Sequence, residues 1–131
     1  MRTHTNNTMN TEEFRDACLA LPYVTEDTPF DESTVVYRLK GKIFACIPTE
    51  TPCKVVLKCD PTLALELRAQ YDAVQGAWHW NKKYWNDITL NGSLSDSQIL
   101  SLIRHAYAEV NKKLPKRERV DFDSDSSSIT L

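Results

Sequence analysis

Glycine is scarce in this sequence, with only 3 residues among 131. Glycine-rich loops form the backbone cradles of many phosphate sites, and the chain has no such loop, no G-x-S-x-G nucleophile turn and no H-E-x-x-H metal motif. Three common classes of catalytic site are therefore excluded. His79 is the one histidine in an unusual segment, but it has no evident carboxylate partner, so we expect no enzymatic activity.

Long apolar runs are also missing. No stretch approaches the ~20 residues that a membrane span needs, and the first residues lack the apolar core of a secretory signal, so we expect a cytoplasmic protein without a membrane partner. The four cysteines form no C-x-x-C pair of the kind that zinc sites use: Cys18, Cys46, Cys53 and Cys59. We therefore predict no bound metal or other cofactor, and free thiols in or near the core.

The composition that remains is typical of one folded domain, with 41% hydrophobic and 26% charged residues and a formal net charge of −2. That charge is unevenly distributed. Residues 1–36 carry seven acids and two bases, whereas residues 37–59 carry five bases and one acid. A near-neutral total therefore conceals a basic segment, which favours an anionic partner.

Capping signals predict three helices. The residues that carry these signals are Asn10 with Glu13, Asp60 with Pro61, and Ser95 with Gln98. Apolar residues at helical spacing follow the first and third signals. We expect the three helices to end near Pro22, Tyr71 and Leu114.

Alternating apolar and polar residues predict strands over 34–40, 43–47, 54–58 and 84–90. Strands grouped between helices favour an α+β fold, with an antiparallel sheet of about five strands and helices packed on one face, including N- and C-terminal helices. We expect one domain over 10–120, between a disordered leader at 1–9 and an acidic, serine-rich disordered tail at 121–131.

The segment 78–86 is the most unusual part of the sequence, because it holds all three tryptophans with a histidine, two lysines and two asparagines. Aromatic rings beside cations are suited to stacking on bases and contacting phosphates, which favours nucleic-acid binding. The alternative is that the tryptophans are packing anchors and the lysines form a solvated rim.

A second basic feature lies on the predicted strands. Arg38 and Lys40 are expected on one side of their strand, and Lys54 and Lys58 on one side of theirs. This stripe is either an anion-binding face or the solvated side of an ordinary antiparallel sheet. The two features define the candidate nucleic-acid or ligand-binding residues: Arg38, Lys40, Lys54, Lys58, His79, Trp80, Asn81, Lys82 and Trp85.

Several short motifs in a fixed order resemble the MmcQ/YjbR family of small bacterial proteins over residues 10–119. The matching pieces are Leu21-Pro22, Pro29-Phe30, Lys42 to Ala45, Val55 to Lys58, Asp60-Pro61, His79, Asn81-Lys82, Trp85-Asn86 and Leu114-Pro115-Lys116. Asp31 and Ala106 depart from the family pattern, in which glycine and serine are expected. The resemblance implies a frataxin-like or double-wing α+β domain similar to the DNA-binding domain of the phage transcription factor MotA.

The resemblance also implies a DNA-binding role, with recurring polar positions at Lys58, His79, Asn81, Lys82 and Trp85. Our leading hypothesis is a monomeric DNA-binding protein that uses its basic sheet face. One alternative is a protein-interaction or small-anion-binding module with a tryptophan-lined pocket. Another is frataxin-like metal handling by the acids between residues 12 and 32.

Overall fold

The structure is a computed structural model that describes residues 8–29, 33–77 and 79–122. Most of the predicted leader and tail, together with Trp78, lies outside these residues. The elements in chain order are α1 (Thr11–Leu19), β1 (Val24–Asp27), β2 (Thr34–Leu39), β3 (Lys42–Pro48), β4 (Lys54–Lys58), α2 (Pro61–Gln70), β5 (Val74–Gly76), β6 (Trp85–Thr89), α3 (Asp96–Asn111) and a 3₁₀ turn (Lys116–Glu118). None of the helices in the described ranges is long and apolar enough to span a membrane.

The predicted helix starts are confirmed. The Asn10 side chain accepts from the Glu13 amide and the Glu13 carboxylate accepts from the Asn10 amide, which completes the capping box of α1. Asp60 caps α2 ahead of a proline at its first turn. Ser95 and Gln98 form a second capping box at α3. These pairs satisfy backbone N–H groups that a helix leaves without internal partners.

The six strands form one antiparallel sheet in the order β1-β2-β3-β4-β6-β5. Lys40 and Gly41 connect β2 to β3, with φ angles of +49° and +89°. A two-residue hairpin of this kind needs positive φ at both positions, which places Lys40 in the turn rather than at the end of the predicted strand. The sheet and helices confirm the α+β prediction.

The two edge strands β1 and β5 were not predicted. The chain after Pro22 reads as an acidic loop, yet Val24–Asp27 pairs with β2 along its whole length. The strand β5 has only three residues, which is too short for alternation to be visible. Both edge strands therefore form through pairing with a neighbouring strand, β1 with β2 and β5 with β6.

The helices cover one face of the sheet, and the main core lies between them. Phe14 from α1, Leu67 from α2 and Tyr107 from α3 meet the inward-facing strand residues there. Met9 is buried in this core, and the Phe122 ring centroid lies 4.6 Å from that of Tyr107. The packed unit therefore includes residues just outside the predicted 10–120 limits.

The opposite sheet face has no helix over it among the residues that the structure describes. A smaller apolar cluster lies on this open face, formed by Val36, Cys46, Val56, Ala77 and Trp85. Partly buried Ile43, Trp80 and Tyr84 pack against it. The open face is thus apolar at its centre rather than uniformly solvated.

His105 on α3 gives the first testable prediction. Its Nε2 accepts a hydrogen bond from the Asp60 amide at 3.1 Å, which requires the neutral ring, and burial lowers the pKa of His105 below its ordinary 6.5. Below about pH 6.5 the unfolded chain gains a proton that the folded chain resists, so stability falls. We expect the wild type to lose roughly 1 kcal/mol more than His105→Gln between pH 7.5 and 5.5, measured by urea unfolding. Parallel pH profiles for the two proteins would contradict this assignment.

Candidate functional site

The candidate surface is built on four strands of the open face, β2, β3, β4 and β6. Lys54, Val56 and Lys58 point to this face from β4, as their spacing predicts. Across the neighbouring strand β6, Asp87 pairs with Val56 and Trp85 pairs with Lys58 in register. Because directly opposed residues on adjacent strands have neighbouring side chains, this pairing places charged and aromatic groups side by side.

Two stacked tryptophans divide the surface. The ring centroids of Trp80 and Trp85 are 4.6 Å apart at an interplanar angle of 37°. Trp85 is only 8% exposed, whereas Trp80 is half-buried and lies over it. Trp85 is therefore a packing anchor, and Trp80 offers a partly exposed ring.

A cavity of about 410 Å³ lies on one side of Trp80. We call it the basic cavity. Its charged lining comes from β2, β3, β4 and the end of α3: Arg38, Lys42, Lys58 and Lys113. Arg38 is partly neutralised, since its Nε donates to Asp27 at 3.0 Å. The three lysines supply the remaining positive charge.

Two of these lysines, together with Lys83, lie near the ring of Tyr84. The ammonium groups of Lys58, Lys83 and Lys113 lie 5.5, 5.5 and 5.8 Å from the Tyr84 ring centroid. Lys58 also lies 5.3 Å from the Trp85 ring centroid. Cations at this distance are attracted by the negative faces of the rings.

The electrostatic environment of Lys58 favours an anion. Burial lowers the pKa of Lys58, and repulsion from Lys113 and Lys42 lowers it further, while Glu109 opposes the change. The repulsion among neighbouring positive charges falls when a negative group binds between them. The basic cavity is therefore suited to a phosphate or another anion.

A second cavity, of about 500 Å³, lies on the other side of Trp80. We call it the paired-charge cavity. Its apolar lining is Cys46, Pro48, Val56 and Trp80, and its polar lining is Thr34, Thr51, Lys54, His79 and Asp87. Lys54 of β4 and Asp87 of the adjacent β6 form an ion pair in its lining, with Nζ and Oδ2 separated by 3.8 Å.

The carboxylate of this cavity is partly removed from water. Burial raises the pKa of Asp87, and the positive charge of Lys54 and the proximity of His79 act against that rise. His79 is itself exposed at the mouth of the cavity. The cavity thus combines an aromatic wall, an apolar floor and one charge of each sign.

Three predicted residues lie away from both cavities. Lys40 is in the hairpin turn, where its Nζ donates to the Glu118 carbonyl at 2.7 Å, so it does not share a face with Arg38. The Asn81 side-chain oxygen Oδ1 accepts from the Lys83 backbone amide at 3.0 Å and shapes the turn before β6. Lys82 packs beside Gly76 and lines a small hollow with the first turn of α2. Lys54, Lys58 and Lys82 therefore do not converge on one site.

Sequence reasoning gave no site role to four side chains that line or border these cavities: Lys42, Tyr84, Asp87 and Lys113. Tyr84 and Asp87 border or belong to the aromatic segment, which is itself a signal. Lys113 follows α3 far along the chain, and only the packing of α3 across the sheet brings it to β4. Its position has no signal in the local sequence.

The four cysteines are free thiols, as predicted. Cys18, Cys46 and Cys59 are buried as expected, but the prediction of a position in or near the core is wrong for Cys53, which is exposed in the β3–β4 connection. Burial raises the pKa of Cys46 and of Cys59 to about 12. These two thiols are therefore protonated at neutral pH and serve as small apolar side chains.

Acids of the segment 12–32 have structural contacts, Asp27 among them through its ion pair with Arg38. Glu13 completes the α1 capping box, and Glu26 accepts from Arg15 at 2.7 Å and from the Tyr37 hydroxyl at 2.8 Å. Within the described part of the chain, no three His, Cys, Asp or Glu side chains are grouped as metal ligands. Helix capping accounts for the Glu13 carboxylate, and the ion pair with Arg15 and the Tyr37 hydrogen bond account for that of Glu26.

The fold and the surface define a class of protein: a small α+β domain with helices on one side of an antiparallel sheet and an aromatic, basic face on the other.

The chain belongs to the YjbR family, whose sequence profile, described as YjbR, matches residues 19–109. It is 32% identical to protein YjbR of Escherichia coli K12 over 112 residues, which cover 85% of this chain and 95% of that protein. It is 28% identical to YbdF of Escherichia coli O157:H7 over 109 residues, which cover 82% and 89%. The predicted family is confirmed, and both relatives are described as uncharacterised.

Solved structures of similar proteins support the same fold. Protein DR2400 of Deinococcus radiodurans, with domain DUF419, matches with a TM-score of 0.79 at 30% identity, covering 88% of this chain and 89% of that one. A crystal structure of a Pseudomonas syringae protein matches with a TM-score of 0.63 at 26% identity, covering 75% and 96%.

Proposed function

We propose that this protein binds single-stranded DNA across its open sheet face and carries out no catalytic step. The observation that carries the proposal is the convergence of Lys42, Lys58 and Lys113 beside the partly exposed aromatic side chains of Trp80 and Tyr84. Lysines at this position contact backbone phosphates, and aromatic rings stack on bases. A single strand fits this combination better than a duplex, because its bases are free to stack on protein side chains.

The salt dependence of binding tests the proposal. We expect a fluorescent oligonucleotide to bind at low salt, with log K falling linearly with log salt concentration by about 0.7 for each phosphate contact. Lys58→Gln combined with Lys113→Gln removes two contacts, so we expect about tenfold weaker binding or more and a slope smaller by about 1.4. Fluorescence anisotropy at several salt concentrations measures both quantities.

A matched control is available on the same protein. Lys82→Gln removes one exposed charge that faces α2, and Lys113→Gln removes one exposed charge at the basic cavity. Only the Lys113 variant should weaken binding beyond the general effect of net charge. Equal losses for the two variants, or no binding at 20 mM salt, would rule out this site.

A small anion is the competing occupant of the basic cavity. Repulsion between Lys58 and its lysine neighbours favours any anion there, including free phosphate. Thermal unfolding with inorganic phosphate separates the two functions, because a ligand that binds only the folded state raises the melting temperature. Stabilisation by phosphate without any oligonucleotide binding would favour the small-anion function.

A further inference from the structure

The paired-charge cavity has the size and lining of a ligand site in its own right. Its volume of about 500 Å³ lies within the range of ordinary small-molecule pockets. Cys46 and Val56 give it an apolar floor, and Trp80 gives it an aromatic wall. Lys54 and Asp87 are the charged groups of opposite sign. A pocket of this kind holds a flat ligand between apolar surfaces and orients it by one polar edge.

The charged pair is spaced for two neighbouring polar atoms of a heterocycle. Lys54 Nζ and Asp87 Oδ2 are 3.8 Å apart as an ion pair. An ammonium has three donors and a carboxylate has about four acceptor sites, so both groups keep capacity for hydrogen bonds to a ligand. Two protein atoms that hydrogen-bond to adjacent atoms on the edge of a base lie roughly 3–4 Å from each other, because each stands about 2.9 Å from the base atom that it contacts. The pair therefore fits an edge that has an acceptor beside a donor.

Guanine has the edge that uses this pair most fully. Its O6 accepts a hydrogen bond, and its ring N–H and exocyclic amine are two adjacent donors. Lys54 donates to O6 in such an arrangement, and the two carboxylate oxygens of Asp87 accept from the two donors. Adenine and cytosine each offer a single donor group beside one acceptor, and thymine and uracil offer a single donor, so each loses a contact.

We propose that the paired-charge cavity binds a guanine base, stacked on Trp80 with its Watson–Crick edge against Lys54 and Asp87. This inference rests on the proposed function in one respect, which is that the phosphate of the bound nucleotide lies in the basic cavity. Trp80 belongs to the lining of both cavities, so a base stacked on it in the paired-charge cavity lies next to the cavity that holds the lysines.

A series of nucleoside monophosphates tests the inference on the unmodified full chain, with tryptophan fluorescence as the readout. We expect GMP to bind about ten- to a hundredfold more tightly than AMP, CMP or UMP. IMP differs from GMP only by the missing exocyclic amine, so we expect it to bind about tenfold more weakly. Equal affinities for GMP, IMP and AMP overturn the inference.

A double variant tests the same contacts from the side of the protein. Lys54→Met with Asp87→Leu replaces the ion pair by apolar side chains of similar size and leaves the net charge unchanged, a kind of exchange that proteins often tolerate. The preference for GMP over AMP should vanish. Arg15→Met with Glu26→Leu removes an ion pair on the helix-covered side and should leave the preference intact. A preference that survives in the first variant contradicts the inference.

The outcomes separate this inference from the proposed function. Salt-dependent oligonucleotide binding without a GMP preference overturns the guanine site and leaves the proposed function in place. A GMP preference without oligonucleotide binding supports the guanine site and contradicts the proposed function. Neither kind of binding overturns both.

Discussion

Trp85→Ala is expected to lower the free energy of unfolding by about 3–5 kcal/mol, the usual cost of truncating a buried tryptophan. The ring is 8% exposed and supports Trp80 at a centroid distance of 4.6 Å. It also faces the Lys58 ammonium at 5.3 Å. A domain has a total stability of only about 5–15 kcal/mol, so this variant unfolds at low urea concentration or does not fold.

The milder Trp85→Phe keeps a ring in place and separates stability from function. We expect it to fold, and to bind oligonucleotides more weakly than the wild type because Trp80 loses part of its support. Leu65→Ala is the control for stability, since Leu65 is 62% exposed on α2 and its truncation should change stability by about 0.5 kcal/mol or less. Equal urea midpoints for Trp85→Ala and Leu65→Ala would show that Trp85 does not anchor the open face.

Helix starts are predictable from this sequence because their signals are local. Asn10 with Glu13 and Ser95 with Gln98 each form a complete capping box between residues three apart. No tertiary contact is needed for such a signal to act. The alternation of polar and apolar residues is also a local signal, and it predicts β4 with the bounds 54–58 that the structure has.

The strand β1 shows where local signals end. Its sequence, Val-Thr-Glu-Asp, has one apolar residue and two acids, which is atypical of a strand. Its pairing with β2 is supported by Glu26, which accepts from the Tyr37 hydroxyl and from Arg15. Those partners lie eleven residues away in each direction, so the strand depends on contacts that a sequence window does not contain.

The site was partly predictable for the same reason. The segment 78–86 is visible because its aromatic residues are contiguous, and Trp80 and Trp85 do divide the surface. Lys82 belongs to that segment but faces α2, while Lys113 joins the site from a distant helix end. The aromatic composition of segment 78–86 therefore predicts where the surface lies, whereas tertiary packing determines which lysines lie beside it.

Arg68 on α2 gives the last prediction, because it braces the aromatic segment from behind the sheet. Its Nε donates to the Asn86 side-chain oxygen Oδ1 at 2.7 Å, and its Nη2 donates to the backbone carbonyls of Lys82 and Trp85. Asn86 is 1% exposed, so loss of Arg68 leaves a buried acceptor without that donor. We expect Arg68→Met to lower the free energy of unfolding by about 2–3 kcal/mol.

A double-mutant cycle with Asn86→Leu measures this brace directly. Each single variant leaves polar groups unpaired, whereas Arg68→Met with Asn86→Leu removes both partners, so its cost should fall short of the sum by about 1–2 kcal/mol. Arg68 lines neither cavity. The carbonyls that it contacts nevertheless belong to the segment between Trp80 and Asn86. We therefore expect oligonucleotide affinity to fall in Arg68→Met and to recover partly in Arg68→Lys. Additive stability changes together with unaltered affinity would show that α2 does not position the binding surface.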